Sequence, residues 1–257
     1  MKEAAEKVYV VSLVRDSGMY DRCIRSNPCC EGCTFCPSDN SRNLLTVPQC
    51  YNSFLDSLPD EEDAWVVFCH EDWMPLQPLR ARVLSLDKTR LWGPAGVYLK
   101  EGEKCDRSIL RGRVLMSRRD GSQLLDLKGV SLRGRVDTFD CMCLAVHTSL
   151  VRRLSLRFDP ALRFDMYVED FCAAALSGGA LSYALPIKSR HFSYGTRSDN
   201  FFAALEYVRA KYELKTPKRL GGTAVYEDSF GGRDAQRPPV KASHGSVFTR
   251  ILRFFGL

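Results

Sequence analysis

Ala64-Trp65-Val66-Val67-Phe68-Cys69-His70-Glu71-Asp72 places six apolar residues directly before three polar ones. An apolar run without alternation reads as a strand buried on both faces, as in parallel sheets covered by helices. Its abrupt end in an imidazole and two carboxylates sets one borderline nitrogen ligand and two hard oxygen ligands at a carboxyl edge, where such sheets bind their ligands. Acidic residues after a strand are also common on plain solvated edges. Alone, the triplet decides nothing.

The flanking sequence repeats the alternation of strand and helix. Val8–Val14 is a second β-branched run, followed by polar Arg15-Asp16-Ser17-Gly18 and then by Met19, Tyr20, Cys23 and Ile24 at helical spacing. Thr34-Phe35-Cys36 is a short strand, and Pro48 opens a helix with Cys50/Tyr51, Phe54/Leu55 and Leu58 on one face; proline suits a first helical turn. Leu79, Val83 and Leu86 predict another helix, Arg90–Leu99 a strand interrupted by small residues, and Arg113–Arg118 with Gln123–Val130 a hairpin excursion. Asp137–Val146 reads as a third apolar strand leading into a helix at Thr148–Leu154. Tyr167–Leu176 is a helix stopped by Gly178-Gly179, and Leu181, Tyr183, Leu185 and Ile187 alternate as a strand feeding Ser189-Arg190-His191. A last helix starts at Ser198 or Asp199. Together these predict an α/β fold, a mainly parallel mixed sheet with helices on both faces, as a single domain over residues 1–215.

The chain has 257 residues, 45% of them hydrophobic, and a net charge of +6 from 37 basic and 31 acidic side chains. So modest an excess does not argue for nucleic acid and suits an anionic small ligand equally well. Residues 216–246 carry five glycines, three prolines and scattered Lys and Arg, which predicts a flexible basic linker or tail. Residues 247–257 read as a short amphipathic helix with Phe248, Ile251, Leu252 and Phe255 on one face. Its apolar face and arginines point to peripheral contact with an anionic membrane, docking on the domain itself, or docking on a partner. With no apolar window approaching twenty residues, the expected location is cytoplasmic, peripheral to the inner membrane face if the tail anchors there.

A second acidic cluster is Glu169-Asp170 at a helix start, where the backbone dipole favours negative charge. A further imidazole, His191, follows a strand. Each has a plain reading as a helix-end charge or a surface histidine.

The ordered set of motifs says more. Cys36-Pro37-Ser38-Asp39-Asn40, Pro48-Gln49-Cys50-Tyr51-Asn52 and Val67-Phe68-Cys69-His70-Glu71-Asp72 resemble successive segments of the glycosyltransferase family typified by the streptomycin-biosynthesis glycosyltransferase-like domain, a relative of family 2. The resemblance continues through Gly93-Pro94-Ala95-Gly96-Val97, Asp137-Thr138-Phe139-Asp140, Leu162-Arg163-Phe164-Asp165, Val168-Glu169-Asp170-Phe171-Cys172 and His191-Phe192-Ser193, so it spans roughly residues 8–196 in order. It implies the GT-A fold, in which a Rossmann-like nucleotide-binding half and an acceptor-binding half share one continuous sheet.

The resemblance also implies roles. His70-Glu71-Asp72 stands where the family has its Asp-x-Asp metal motif, departing from it in the first residue. Asp72 is then the principal ligand of Mn2+ or Mg2+, with His70 or Glu71 secondary and also near the donor, and His191 completing the metal site. Val14, Arg15, Asp39, Asn40 and Asn52 fall on the donor-nucleotide side. Glu169 and Asp170 match the acidic pair supplying the general base, with Asp170 the first choice, while Trp92 and Asp140 are candidates for holding sugar or acceptor. The implied reaction is transfer of a sugar from a nucleotide-sugar donor to a hydroxyl of a glycan, lipid-linked or small-molecule acceptor, with inversion. A carboxylate takes the hydroxyl proton as attack develops, and a divalent cation neutralises the departing diphosphate.

Two other classes stay open. A protein that keeps the fold but has lost part of the site would be a sugar-nucleotide-binding scaffold, and His70 in place of an acid permits that. Cys29-Cys30-Glu31-Gly32-Cys33-Thr34-Phe35-Cys36, with Cys23 and Cys50 nearby, has the paired spacing of a zinc or iron–sulfur site. Eleven cysteines in the whole chain, several inside apolar runs, fit reduced core thiols equally well.

Overall fold

The computed structural model describes residues 6–98, 109–193 and 199–212. The expected linker at 216–246, the expected helix at 247–257, Leu99 and Ser198 lie outside the described residues. The strands are β1 (Lys7–Val14), β2 (Thr34–Asp39), β3 (Ala64–Cys69), β4 (Trp73–Pro75), β5 (Leu91–Gly93), β6 (Ala95–Tyr98), β7 (Ile109–Ser117), β8 (Gln123–Lys128), β9 (Gly134–Val136), β10 (Thr138–Phe139), β11 (Cys143–His147), β12 (Ser182–Ala184) and β13 (Ser189–His191). Between them run α1 (Ser17–Tyr20, continued by a π-helical turn over Asp21–Arg25), α2 (Val47–Ser57), α3 (Leu79–Leu84), α4 (Thr148–Arg153), α5 (Tyr167–Ser177) and α6 (Asp199–Lys211).

The fold is α/β with mixed sheets. Seven strands form one sheet in the order β2-β1-β3-β11-β5-β12-β9. A second sheet runs β10-β6-β7-β13-β4, with β8 on β7. The strands therefore fall into two sheets where the family resemblance implied one continuous sheet. Parallel pairing joins β1 to β2, β1 to β3, β5 to β12 and β7 to β13. β11 enters between β3 and β5 antiparallel to both.

The uninterrupted apolar character of β3 has the expected cause. Trp65, Val67 and Cys69 face one core with Val8, Val10, the α1 residues Met19 and Tyr20, and the second sheet's Val114 and Met116. Val66 and Phe68 face another core with Val11, Tyr51 of α2, Leu150 of α4 and Phe171 of α5. Alternate side chains of one strand thus fill opposite layers, so none can be polar.

Local signals set the helix starts. The Thr46 hydroxyl accepts from Gln49 N–H while the Gln49 side chain accepts from Thr46 N–H, closing a capping box ahead of Pro48.

Two expected strands are cut in two and a third is shortened. Arg90–Leu99 divides at Pro94 into β5 and β6, which belong to different sheets; proline has no N–H to donate to a ladder. Its carbonyl accepts from Arg113 N–H, and there Gly112 is required, because at φ +92° an added Cβ would stand 2.0 Å from Pro94 O. Asp137–Val146 breaks after β10, where the Asp140 carboxylate accepts from Met142 N–H and turns the chain into β11. The alternating run at 181–187 contributes only β12 before Pro186 passes the chain to β13 in the other sheet. The β7–β8 hairpin forms as expected, but β7 is no excursion: it pairs with both β6 and β13.

Asn52 is expected beside the nucleotide, yet its side chain is spent on the fold. Its amide donates to Phe158 O at 2.7 Å and accepts from Phe158 N–H at 2.9 Å, tying α2 to the segment before α5. Asn52→Ala leaves both backbone groups unpaired and is expected to lower stability by about 1–3 kcal/mol. Urea unfolding measures this, and an unchanged midpoint would show that the pair is not a stabilising tie.

Candidate active site

The polar turn after β3 is clamped by both sheets. His70 N–H donates to Met142 O just before β11, and Phe192 N–H donates to Asp72 O just after β13. Antiparallel pairing of β13 with β4 sets His191 opposite Trp73, one residue beyond Asp72. His70, Asp72 and His191 each present a ligand atom, all within 4.8 Å of one another. Among the described residues no other group of His, Cys, Asp or Glu does so.

Asp72 is the anionic member of the cluster. Burial opposes ionisation of Asp72, but the imidazoles of His191 and His70 outweigh it and hold the carboxyl down at about 2. Burial likewise opposes charge on His191, yet Asp72 and Asp140 beside it raise its pKa. His191 Nε2 lies 3.2 Å from Asp72 Oδ1, but neither ring nitrogen has an aligned hydrogen-bond partner. Buried polar atoms that converge without bonding one another are what a shared ligand would satisfy.

His70 is neutral, because burial brings its pKa to about 4. The buried hydroxyl of Tyr167 donates to Cys141 O at 2.6 Å and lies 3.0 Å from His70 Nε2. Having spent its one proton on Cys141, the tyrosine oxygen can only accept from Nε2–H. The proton therefore sits on Nε2 and the free lone pair on Nδ1. Fixing a ligand's tautomer through the other ring nitrogen is the usual outer support of a metal histidine. No sequence pattern distinguishes Tyr167 from a core aromatic of α5, so its part was not legible.

The two acids of α5 separate. Glu169 is buried, its Oε2 has no partner, and burial, with Asp140, Asp165 and Asp170 nearby, lifts its pKa to about 8. Asp140, close to both Asp72 and His191, is itself raised by burial. Asp170 points the other way. Its Oδ1 accepts from Lys211 Nζ at 2.7 Å and Tyr212 hydroxyl at 3.1 Å, and Lys211 also holds Asp159 at 2.7 Å. The choice of Asp170 over Glu169 as base is therefore corrected: Asp170 is an anchor for α6, a pairing that nothing in the sequence around Lys211 announces.

The donor-side residues also divide. Val14 is buried at the end of β1, Arg15 is exposed beyond it, and β1–β2 register sets Asp39 opposite Val14. Asp39 stays exposed, held ionised by Ser41 N–H and hydroxyl. Asn40 is occupied by the backbone of Leu45 in both directions. Glu71 is turned away from the cluster, accepting from the N–H groups of Arg15 and Asp16, so it supports the loop after β1. Trp92 donates to Asp87 O and packs on Tyr183, on the sheet face and away from the cluster.

The cysteines gather no metal site among the described residues. Cys23, Cys30, Cys69 and Cys143 are core thiols whose pKa values are raised by burial.

No family profile matches the chain, and no curated protein matches it. Among solved structures it is similar to GalNAc-T7, crystallised with UDP, GalNAc and Mn2+, at 12% identity and a TM-score of 0.48 over 86% of this chain and 53% of that one. It is similar to S. aureus TarS at 13% identity and a TM-score of 0.47 over 81% of this chain and 40% of that one. A197 from STIV gives 13% identity and a TM-score of 0.38 over 73% and 86%. The chain thus spans about half the GalNAc-T7 chain and less than half of TarS.

A carboxyl whose folded pKa is raised binds its proton more tightly in the native state than in the unfolded one. Glu169 therefore favours the fold below its ordinary 4.5, and that advantage drains away as pH climbs to about 8. Glu169→Gln removes the titration. The variant is expected to gain on wild type by up to a few kcal/mol between pH 5 and 9, read as the difference of two stability–pH curves without added metal. Parallel curves would place Glu169 in a water-exposed setting.

Proposed function

We propose that the chain is a divalent-metal-dependent transferase that moves a sugar from a nucleotide-sugar donor to an acceptor hydroxyl. The observation that carries this reading is the convergence of His70, Asp72 and His191 at the carboxyl end of β3, with the unpaired Glu169 close by through Asp140. A nucleotide sugar needs its diphosphate charge neutralised and its acceptor deprotonated, and the cluster offers a group for each need. The order of the family-like motifs from β1 to β13 supports the same reading.

The donor set also bears on the ion. Two imidazoles and one carboxylate suit a borderline cation better than Mg2+, which is held through oxygen, so Mn2+ is the better fit of the two. Once bound by His70, Asp72 and His191, it would supply positive charge to the leaving diphosphate.

Glu169 is the proposed base. A pKa of about 8 keeps it a strong proton acceptor with a usable ionised fraction near neutrality. Asp170, neutralised by Lys211, is not free for a second covalent role, which favours a single displacement with inversion. Asp39 and Arg15, adjoining across the β1–β2 edge, are the proposed nucleotide-side residues, and Asp140, close to His191, is the proposed holder of a sugar hydroxyl.

Asp72→Asn and His191→Gln are expected to abolish Mn2+-dependent binding of sugar nucleotides in a thermal-shift screen. Glu169→Gln is expected to keep that binding and lose transfer by about 10²–10⁴-fold. Full transfer in all three variants would sink the proposal. Metal-independent nucleotide binding without turnover would make the chain a scaffold instead.

A further inference from the structure

A cavity of about 310 Å3 opens on the face of the seven-stranded sheet where β5, β12 and β9 adjoin, lined chiefly by Leu86, Arg90, Trp92, Arg133, Tyr183 and Pro186. None of His70, Asp72, His191 or Glu169 reaches it. Register sets Tyr183 beside Trp92, and Trp92 beside Ala145 on β11, two residues past the Cys143 that faces Cys69. The cavity is therefore separate from the metal-ligating turn.

Its chemistry is consistent around the wall. Trp92 and Tyr183 meet at 5.5 Å between ring centroids and give it an aromatic side, widened by Leu86. The Arg90 guanidinium lies 4.3 Å from the Tyr183 centroid and is steadied by Asp87 through Nε at 2.8 Å. Arg133 forms no ion pair among the described residues, and no carboxylate lines the cavity. Two guanidiniums call for a carboxylate or phosphate, which arginine grips through two parallel N–H groups. Aromatic faces call for a ring with an apolar side. At about 310 Å3 the volume is at the bottom of the roughly 300–1,000 Å3 range of ligand cavities, which suits one ring-sized unit.

We propose that this cavity binds an anionic monosaccharide unit, its acid group between Arg90 and Arg133 and its ring against Trp92 and Tyr183. The site stands whether or not the chain transfers a sugar, and if it does, the unit belongs to the acceptor.

Calorimetric titration of the full chain in EDTA tests it with glucuronate, glucose 6-phosphate, glucose and inorganic phosphate. Either acidic sugar is expected to bind saturably, with glucose and inorganic phosphate at least tenfold weaker. Arg133→Gln, at an exposed position, is expected to weaken the acidic sugar about tenfold with an unchanged melting temperature. Asp72→Asn is expected to have no effect. The proposal is overturned by absence of saturable binding, by inorganic phosphate binding equally well, by wild-type affinity in Arg133→Gln, or by loss of binding in Asp72→Asn.

Discussion

The site depends on one short turn being held from two sides. His70 is tied through its N–H to the strand that enters the first sheet backwards, and Asp72 through its carbonyl to the strand that closes the second. Without either tie the turn that carries His70 and Asp72 would not be fixed against His191 of β13. With both, the backbone fixes them before any ligand arrives, and the entropy of ordering them is met by folding itself.

That rigidity lets neighbouring carboxylates behave differently. Asp72 faces two imidazoles and stays ionised, whereas Glu169 faces only other acids and an apolar layer and keeps its proton to about pH 8. On α5 the next residue, Asp170, is turned toward the cation of α6. Successive side chains on a helix point roughly 100° apart, so one turn can carry both a buried unpartnered acid and a structural one. Environment assigns the parts, as it does where paired acids do different work.

Much of this was legible in the sequence. The unbroken apolar run of Ala64–Cys69 reported burial on both faces, and the polar stop at His70 marked the strand end where His70, Asp72 and His191 converge. Helices expected from Pro48 and over Tyr167–Leu176, on proline placement, periodicity and the Gly178-Gly179 stop, form as Val47–Ser57 and Tyr167–Ser177. Breaks inside apolar stretches did not show, because Val136, Phe139 and Leu144 are equally apolar although they lie on three strands. Hydrophobic pattern tells how deeply a residue is buried and not which sheet it joins. Side-chain direction was likewise hidden: Glu71 lies between two ligands in sequence, yet its carboxylate is taken by backbone N–H groups across the turn.

The sequence separation of the ligands has a consequence for synthesis. His70 and Asp72 leave the ribosome more than a hundred residues before His191, which arrives on β13, the last strand of either sheet. A nascent chain can therefore assemble β1, β2 and β3 while lacking a complete donor set. Only when β13 pairs with β4 and β7 do the second sheet and the third member of the cluster come into being together. Completion of the His70, Asp72 and His191 cluster thus coincides with completion of the second sheet.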